Sequence, residues 1–308
     1  MSKKPAKAPD PKPPTLDQLQ IFLSIVETGS FSGAARKLGR ATSVISYAVA
    51  NLETQLGLEL FDRASTKKPQ LTDAGRAVLS DARSISLGLG DLLAKARGLM
   101  SGLEAEVALV VDVMLPTTKL VLVLDEFQAA YPTVSLRLHV EALGAVTQLL
   151  LNRTATVGVS GPALLDTDIL ERRRIGSIRL IPVAAPSHPL SQHRGRTTVA
   201  AVRKHIQLVL TDRSELTKSQ DFGVISVRTW RLADLGSKHA LLLAGVGWGS
   251  MPDAMVSDDI AAGRLTELDL DTWSSAIYPL QAIHRTDTPP GPAASWLIAR
   301  LQEVLGEA

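Results

Sequence analysis

The stretch Glu27-Thr28-Gly29-Ser30-Phe31-Ser32-Gly33-Ala34-Ala35-Arg36-Lys37-Leu38-Gly39 decides how the first third of the chain folds. Thr28-Gly29 stops one helix. Ser30 and Ser32 offer hydroxyl caps for another over residues 33–38, whose Ala34 and Ala35 let a third helix approach closely. Upstream, Leu16, Leu19, Phe22 and Val26 recur at helical spacing from Thr15 to Thr28. Downstream, Gly39-Arg40-Ala41 reads as a turn, and Ile45, Val49, Leu52 and Leu56 mark a helix over residues 42–56 that Gly57 closes. Two short helices joined by a glycine-bearing turn are the geometry with which a helix enters the major groove of DNA. The exposed side of the third helix carries Thr42, Ser43, Ser46, Tyr47 and Asn51, small or polar side chains suited to base edges. Arg40, Ser30 and Ser32 stand where phosphates meet helix N-termini; taken singly, each serine reads better as an ordinary cap.

Beyond Gly57 the residues alternate and turn like a small hairpin with a basic tip, a wing. Lys67 and Lys68 suit the DNA backbone or a minor groove, or else only a solvated turn. Arg63 suits a phosphate clamp, and Thr72 at the base of the wing caps the next helix. In order and spacing, several signatures here resemble the N-terminal domain of the LysR-type transcriptional regulators. They are Leu19-Gln20-Ile21-Phe22, the stretch from Glu27 to Leu38, Ser46, Leu52-Glu53, Leu56-Gly57, Leu60-Phe61-Asp62-Arg63 and Leu71-Thr72-Asp73-Ala74-Gly75. One position departs. The recognition helix of that family usually opens with Ser-Gln, where this chain has Ala41-Thr42, so the family's base contacts are not carried over to Thr42.

From Asp73, the positions Val78, Ala82, Ile85, Leu89, Leu92, Ala96, Leu99 and Leu103 alternate at spacings of 4 and 3, a heptad seam. The seam predicts a helix over residues 73–101, ~43 Å long at 1.5 Å per residue, too long for one small domain to bury. A second copy of the chain is the natural cover, and Gly88 and Gly90 mark either close helix approach or a bend. The resemblance implies that this helix pairs protomers into a homodimer and onward into a homotetramer. Two recognition helices then read an interrupted palindromic operator in double-stranded DNA.

After residue 103 short apolar runs alternate with amphipathic helices. Strands are predicted over 107–111, 134–140, 155–160, 178–184, 206–210, 247–251 and 277–284. Helices are predicted over 117–130, 145–151, 237–244, 252–262 and 293–304. This α/β order, with Ser187-His188-Pro189-Leu190, the run from Gly245 to Pro252 and Gly263-Arg264-Leu265, resembles the LysR effector domain. The resemblance implies a type II periplasmic-binding-protein fold with two lobes, a ligand cleft and two crossing strands. The organisation expected is a disordered basic arm (1–14), an all-α winged helix-turn-helix (15–72), a linker helix (73–102) and a two-lobed effector domain (103–308). Lobe one takes residues 104–160 plus 275–308, and lobe two 161–274. Ligands settle at strand carboxyl ends and helix N-termini in such sheets. That rule nominates Asp112, Met114, Pro116 and Thr117, then Gly144, Ser160, Thr211 and Trp248. A cleft carboxylate at Asp112 suits an effector with an amine or several hydroxyls, and an ion pair of Asp112 with Arg231 or Lys238 is the equal alternative. Trp230, Arg231, Asp234, Lys238 and His239 read better as an ion-pair network than as ligand-orienting groups.

The 308 residues are 45% hydrophobic and 21% charged, which excludes a disordered chain. Without cysteine there is no disulfide framework, thiolate metal site or thiol redox switch. The net charge of +2 hides an asymmetry: residues 1–102 carry 14 Lys and Arg against 9 Asp and Glu, leaving 19 against 22 for the remainder. Only the first part is built to meet a polyanion. The arm, with Lys3, Lys4, Lys7 and Lys12 among prolines, lacks the apolar run of a signal peptide, and residues 240–251 are too short to span a bilayer. Six scattered histidines make no zinc-protease pair, Gly158-Val159-Ser160-Gly161-Pro162 is no nucleophile elbow, and Gly245, Gly247 and Gly249 lack the lysine of a phosphate loop. No catalytic residue, cofactor or metal is expected. The sequence therefore reads as a cytoplasmic regulator, not an enzyme, with double-stranded DNA, a small-molecule effector and its own copies as partners, and RNA polymerase if it activates. The alternatives are a catalytic or ligand-binding α/β domain fused to a DNA-binding module, and a DNA binder without effector.

Overall fold

A computed structural model of the chain describes residues 12–62, 69–162, 167–193, 195–218, 220, 222–271 and 276–306. It divides into two compact units at Arg97 and Gly98. The first opens with α1 (Leu16–Thr28), α2 (Phe31–Leu38) and α3 (Thr42–Leu56). A capping box starts α1, Thr15 accepting from the Gln18 amide while the Gln18 side chain accepts from the Thr15 amide at 2.7 Å. Helix α2 begins at Phe31, before the predicted Gly33, because Ser30 Oγ accepts from the Gly33 amide at 3.0 Å and fixes the first turn there. Gly29, Gly39 and Gly57 end the three helices at φ near +65°, a conformation that strains any other residue type.

The apolar faces of these helices meet in one core of Ile21, Phe22, Ile25, Ala34, Ala35, Ile45, Val49 and Leu52. The wing strands β1 (Phe61–Asp62) and β2 (Gln70–Leu71) pair antiparallel, and Phe61 sets its ring edge-on to Phe22 at 5.5 Å. Glu53 ties the wing to α3 by accepting from the Leu60 amide at 2.7 Å and the Phe61 amide at 3.2 Å. Arg63, Lys67 and Lys68 lie outside the described residues, as does the arm up to residue 11. The long helix α4 (Asp73–Met100) then starts from Thr72, whose hydroxyl accepts from the Gly75 amide and donates to the Glu59 carbonyl. The first two seam positions, Val78 and Ala82, pack into the domain's own core. Farther along, Ile85, Leu92 and Leu99 stand 47%, 61% and 49% exposed.

The second unit is built on a mixed sheet. Its strands are β3 (Glu106–Asp112), β4 (Ser135–Glu141), β5 (Val157–Ser160), β6 (Leu170–Ala184), β7 (Gln207–Leu210), β8 (Thr229–Leu232), β9 (Trp248–Pro252), β10 (Thr266–Glu267) and β11 (Ala276–Arg285). Between and after them run α5 (Thr117–Ala130), α6 (Gly144–Leu151), the one-turn α7 (Val199–Val202), α8 (Leu235–Leu243), α9 (Asp253–Ala261) and α10 (Pro292–Gly306). Strand order is β4-β3-β5-β11-β6-β9-β7-β8, with β10 on β6. A parallel trio, β4-β3-β5, is thus joined to a second set, β9-β7-β8, by two long antiparallel strands, β6 and β11. Residues 107–112 of β3 are all buried, as a central strand covered on both faces requires.

Strand β6 begins at Leu170, eight residues before the predicted Ile178. Arg172, Arg173 and Arg174 hide it from a hydropathy pattern, but the ladder to β11, in which all three are paired, overrides their weak strand preference. The short edge strand β8, with Trp230 and Arg231 outward, has too little apolar periodicity to be read from sequence. Helix α8 starts at Leu235 and is capped by Asp234, whose Oδ1 accepts from the Ser237 amide at 2.6 Å; Ser237 is not its first residue.

At Gly75, an added Cβ would stand 2.1 Å from the Leu60 carbonyl oxygen, a backbone atom that cannot step aside. Gly75→Ala is expected to destabilise the winged domain by about 2 kcal/mol or more, measured by thermal denaturation. Gly88→Ala, where nothing lies within 4 Å, serves as the helix control.

Candidate functional site

The candidate DNA-facing surface follows from how α3 is buried. Ile45, Val49 and Leu52 turn inward, which leaves Thr42, Ser43, Ser46 and Tyr47 on the opposite side, the Tyr47 ring 70% exposed, and Asn51 half-buried. These side chains, like exposed Ser32, form no hydrogen bond among the described residues. Ala41 at the N-cap has no side chain to cap with, so the first amides of α3 are open to a phosphate. Ser30 and Thr72 differ, because their hydroxyls are occupied as caps. Arg40 forms an ion pair with Asp17 at 2.7 Å, which holds the Asp17 carboxyl below its ordinary range.

In the second unit a cavity of 190 Å³ opens where β6 and β11 pass between the two strand sets. Met114, Leu143, Gly161 and Pro162 line it from the β3-β5 side. Gln207 to Leu210, Phe222, Gly223, Lys238 and Ser250 line it from the β7-β9 side, and Leu180 and Tyr278 come from the long strands. Of the positions expected from sequence, Met114 is the one in this wall. Pro116 and Thr117 border a separate hollow of 180 Å³ at the start of α5. Gly144 packs against Ser214 and Thr217, and the neighbouring Ala145 amide donates to Asp212 at 2.8 Å. Ser160 Oγ accepts from Arg172 at 3.1 Å, and Thr211 Oγ donates to the Leu232 carbonyl at 3.4 Å. Trp248 is fully buried, its indole N–H donated to Ser226 at 3.1 Å.

Asp112 lies behind the wall. It accepts from the Met114 amide at 2.9 Å and from the Tyr278 hydroxyl at 2.8 Å, and this set replaces the ion pair with Arg231 or Lys238. Burial pushes its carboxyl up to about 6, against the opposing hydrogen bonds from Met114, Tyr278, Gly161 and Leu143. Gly161 is required here, since a Cβ would stand 1.9 Å from the Tyr278 hydroxyl. Lys238 is 4% exposed and reaches no carboxylate among the described residues; its Nζ donates to the Ser250 carbonyl at 2.7 Å. Burial lowers its ammonium to about 8. The expected network forms around Asp259 instead, which receives His239 and Arg264, each at 2.6 Å. Among the described residues no three histidines and carboxylates gather as metal ligands do, and no helix is long and apolar enough to cross a membrane.

Two family models match the chain: "LysR substrate binding domain" over residues 101–306 and "Bacterial regulatory helix-turn-helix protein, lysR family" over residues 16–76. The chain belongs to the LysR family. It is a transcriptional regulator that joins a DNA-binding helix-turn-helix to an effector-binding α/β domain. This LysR-family chain is 28% identical over 297 residues to the probable HTH-type transcriptional regulator YhaJ of Escherichia coli K12, covering 94% of the chain and 96% of YhaJ. It is 30% identical over 253 residues to the HTH-type transcriptional activator AllS of Klebsiella pneumoniae, covering 81% and 93%. In fold it resembles the Corynebacterium glutamicum OxyR C206 mutant, with a TM-score of 0.54 at 21% identity and 96% and 94% coverage. It also resembles full-length LysG of that organism with bound effector Arg, with a TM-score of 0.51 at 20% identity and 95% and 98% coverage.

Of the lining residues, Phe222, Tyr278 and the run Leu208 to Leu210 are not nominated by the sequence, and Lys238 is placed by it in an ion-pair network ahead of a ligand-orienting role. A signal for the second role exists: Lys238 is the sole charge between Leu235 and Leu243 apart from its neighbour His239, and it falls on the helix face that carries Leu235 and Leu242. The Asp112 carboxyl holds its proton to about pH 6 when folded and to 3.8 ordinarily. Its contribution to stability is therefore complete below pH 4 and lost as pH rises through 6. Relative to Asp112→Asn, the native chain is expected to lose up to ~3 kcal/mol between pH 4 and 7, read from denaturant midpoints of both proteins. A difference that stays flat with pH contradicts this.

Proposed function

We propose that this chain binds an interrupted palindromic operator as a dimer, reads it through the outer face of α3 and the wing, and changes its grip when an effector fills the cavity beside β6 and β11. The observation that carries the reading is a helix whose inner face is fully packed while Thr42, Ser43, Ser46 and Tyr47 stand unpaired in front of an uncapped N-terminus. Such a surface has no packing role. It fits base edges and phosphates. Dimerisation is supported by the seam of α4, where Ile85, Leu92 and Leu99 are exposed within one chain and a partner helix would cover them. Pairing of dimers into a tetramer would bring four such helices to neighbouring sites. The likeness to LysG, whose structure carries an effector, supports a ligand in this fold.

The chain acts on chromosomal DNA in the cytoplasm, and contacts RNA polymerase where it activates. It works by binding: the Asp112 carboxyl is buried behind the cavity wall and taken up by the Met114 amide and by the hydroxyl of Tyr278, which lines the cavity. Footprinting of the purified chain on its own upstream region, with and without cell metabolites, is expected to show two protected half-sites whose pattern shifts with an effector. Uniform coverage would sink the proposal.

Tyr47→Ala is expected to cost roughly 1–3 kcal/mol on the operator and little on random DNA, measured by titration against both. Leu92→Asp is expected to convert dimers to monomers in sedimentation equilibrium while leaving the winged domain folded, because Leu92 touches neither core.

A further inference from the structure

Lys238 is the one feature of the cavity that packing does not explain. Its stem runs from α8 across the main chain of β9. An added Cβ at Gly249 would meet the Lys238 Cε at 3.1 Å and the Leu208 carbonyl oxygen at 2.8 Å, so the glycine keeps that lane open. The ammonium at its end is buried and lines the cavity. It has three donors and a single acceptor, the Ser250 carbonyl.

The other polar groups in this wall cannot neutralise it. The Gln207 side-chain oxygen, the acceptor that could serve an ammonium, is already filled by the Ile225 and Ser226 amides, while its Nε2 donates to the Gly223 carbonyl. Asp112 is held by Tyr278 and main-chain amides. Ser250 meets the lysine through its main-chain carbonyl alone, its hydroxyl being buried and without a hydrogen-bond partner among the described residues. A buried cation without a counter-charge is costly, and a ligand that brings the charge removes the cost. Around this corner the wall is apolar: Leu180, Leu208, Leu210, Phe222 and Met114.

We propose that the effector is a small organic carboxylate, its anionic group received by Lys238 and its apolar body packed against Leu208, Leu210 and Phe222. The inference rests on the proposed effector site and gives its ligand a charge. That charge is opposite to what a cleft carboxylate at Asp112 would select. The 190 Å³ volume sets the scale of the body, below the roughly 300–1,000 Å³ of drug-sized sites. At neutral pH Lys238 remains a cation, since burial brings it only to about 8.

The test uses the full chain and matched probes: straight-chain carboxylates from butanoate to octanoate and benzoate, each beside its primary amide and amine, titrated calorimetrically up to millimolar concentration. At least one carboxylate is expected to bind saturably, with its amide and amine weaker by about tenfold or more. Lys238→Met, which keeps the stem and removes the charge, is expected to fold and to weaken that carboxylate by about tenfold or more. An amine that binds better than its carboxylate, a Lys238→Met variant that binds the carboxylate like the native chain, or no saturable carboxylate in the series overturns the proposal. Operator footprints of native and Lys238→Met chains without probe separate the two readings. An absent footprint in both condemns the regulator proposal, whereas an intact footprint with failed carboxylate binding condemns this inference alone.

Discussion

The ladder between β6 and β11 is the constraint on which the effector domain depends. The two strands pair antiparallel from Ala276 opposite Leu180 to Arg285 opposite Leu170, with one irregularity between Leu280 and Gln281. Each then carries further strands: β11 holds β5 on its other flank, and the far end of β6 holds β9 and β10. Every other strand belongs to one side or the other. The cavity lies where the two sides face each other across this pair, and Leu180 and Tyr278 reach it from the pair itself. Main-chain hydrogen bonds hold this arrangement without regard to side chains, which is why a segment as polar as Leu170 to Arg174 is a strand at all.

Around that crossing the protein buries two ionisable side chains and treats them in opposite ways. Asp112 is surrounded by donors, from the Tyr278 hydroxyl and from main-chain amides, which offset part of the cost that burial places on its charge. Its part is to fix the loop after β3 against β11, and Gly161 makes room for the tyrosine that does so. Lys238 is given one carbonyl and left facing space. A structural group is satisfied from within; a group that waits for a ligand is not.

The long helix α4 has a comparable division of labour along its length. Its first turns are part of the winged domain, with Val78, Leu79 and Ala82 in the same core as Phe22 and Phe61, so the orientation of the helix is fixed by the domain that meets DNA. Beyond Ala82 the same periodicity turns outward at Ile85, Leu92 and Leu99, with Leu89 half-buried between them. A single heptad pattern therefore does two jobs, intramolecular packing first and an unpartnered seam afterwards. Nothing in the repeat marks the change, because both need the same apolar spacing.

Local chemistry made much of this legible in the sequence. Caps and stops bracket the first helices: Thr15 and Ser30 begin α1 and α2, and Gly29, Gly39 and Gly57 end α1, α2 and α3, so their bounds follow from hydrogen bonds and dihedrals within a few residues. The bounds 42–56 for α3 and 117–130 for α5 hold to the residue. The identities facing DNA follow once the buried face of α3 is known, since 3.6 residues per turn dictates the opposite side. The effector site was not legible in this way. The rule of strand ends and helix starts led to Asp112, Gly144, Ser160 and Trp248, none of which lines the 190 Å³ cavity, because it could not say which side chains turn inward to neighbours and which face open space. Asp112 and Lys238 are 126 residues apart, and each was a possible partner for the other. The choice was made by Tyr278 and Ser250, which reach them through the sheet, and with it the sign of the charge left facing the effector. Helix ends are local problems that sequence solves; the counter-charge of a buried group is set by long-range packing and desolvation, which only the tertiary structure decides.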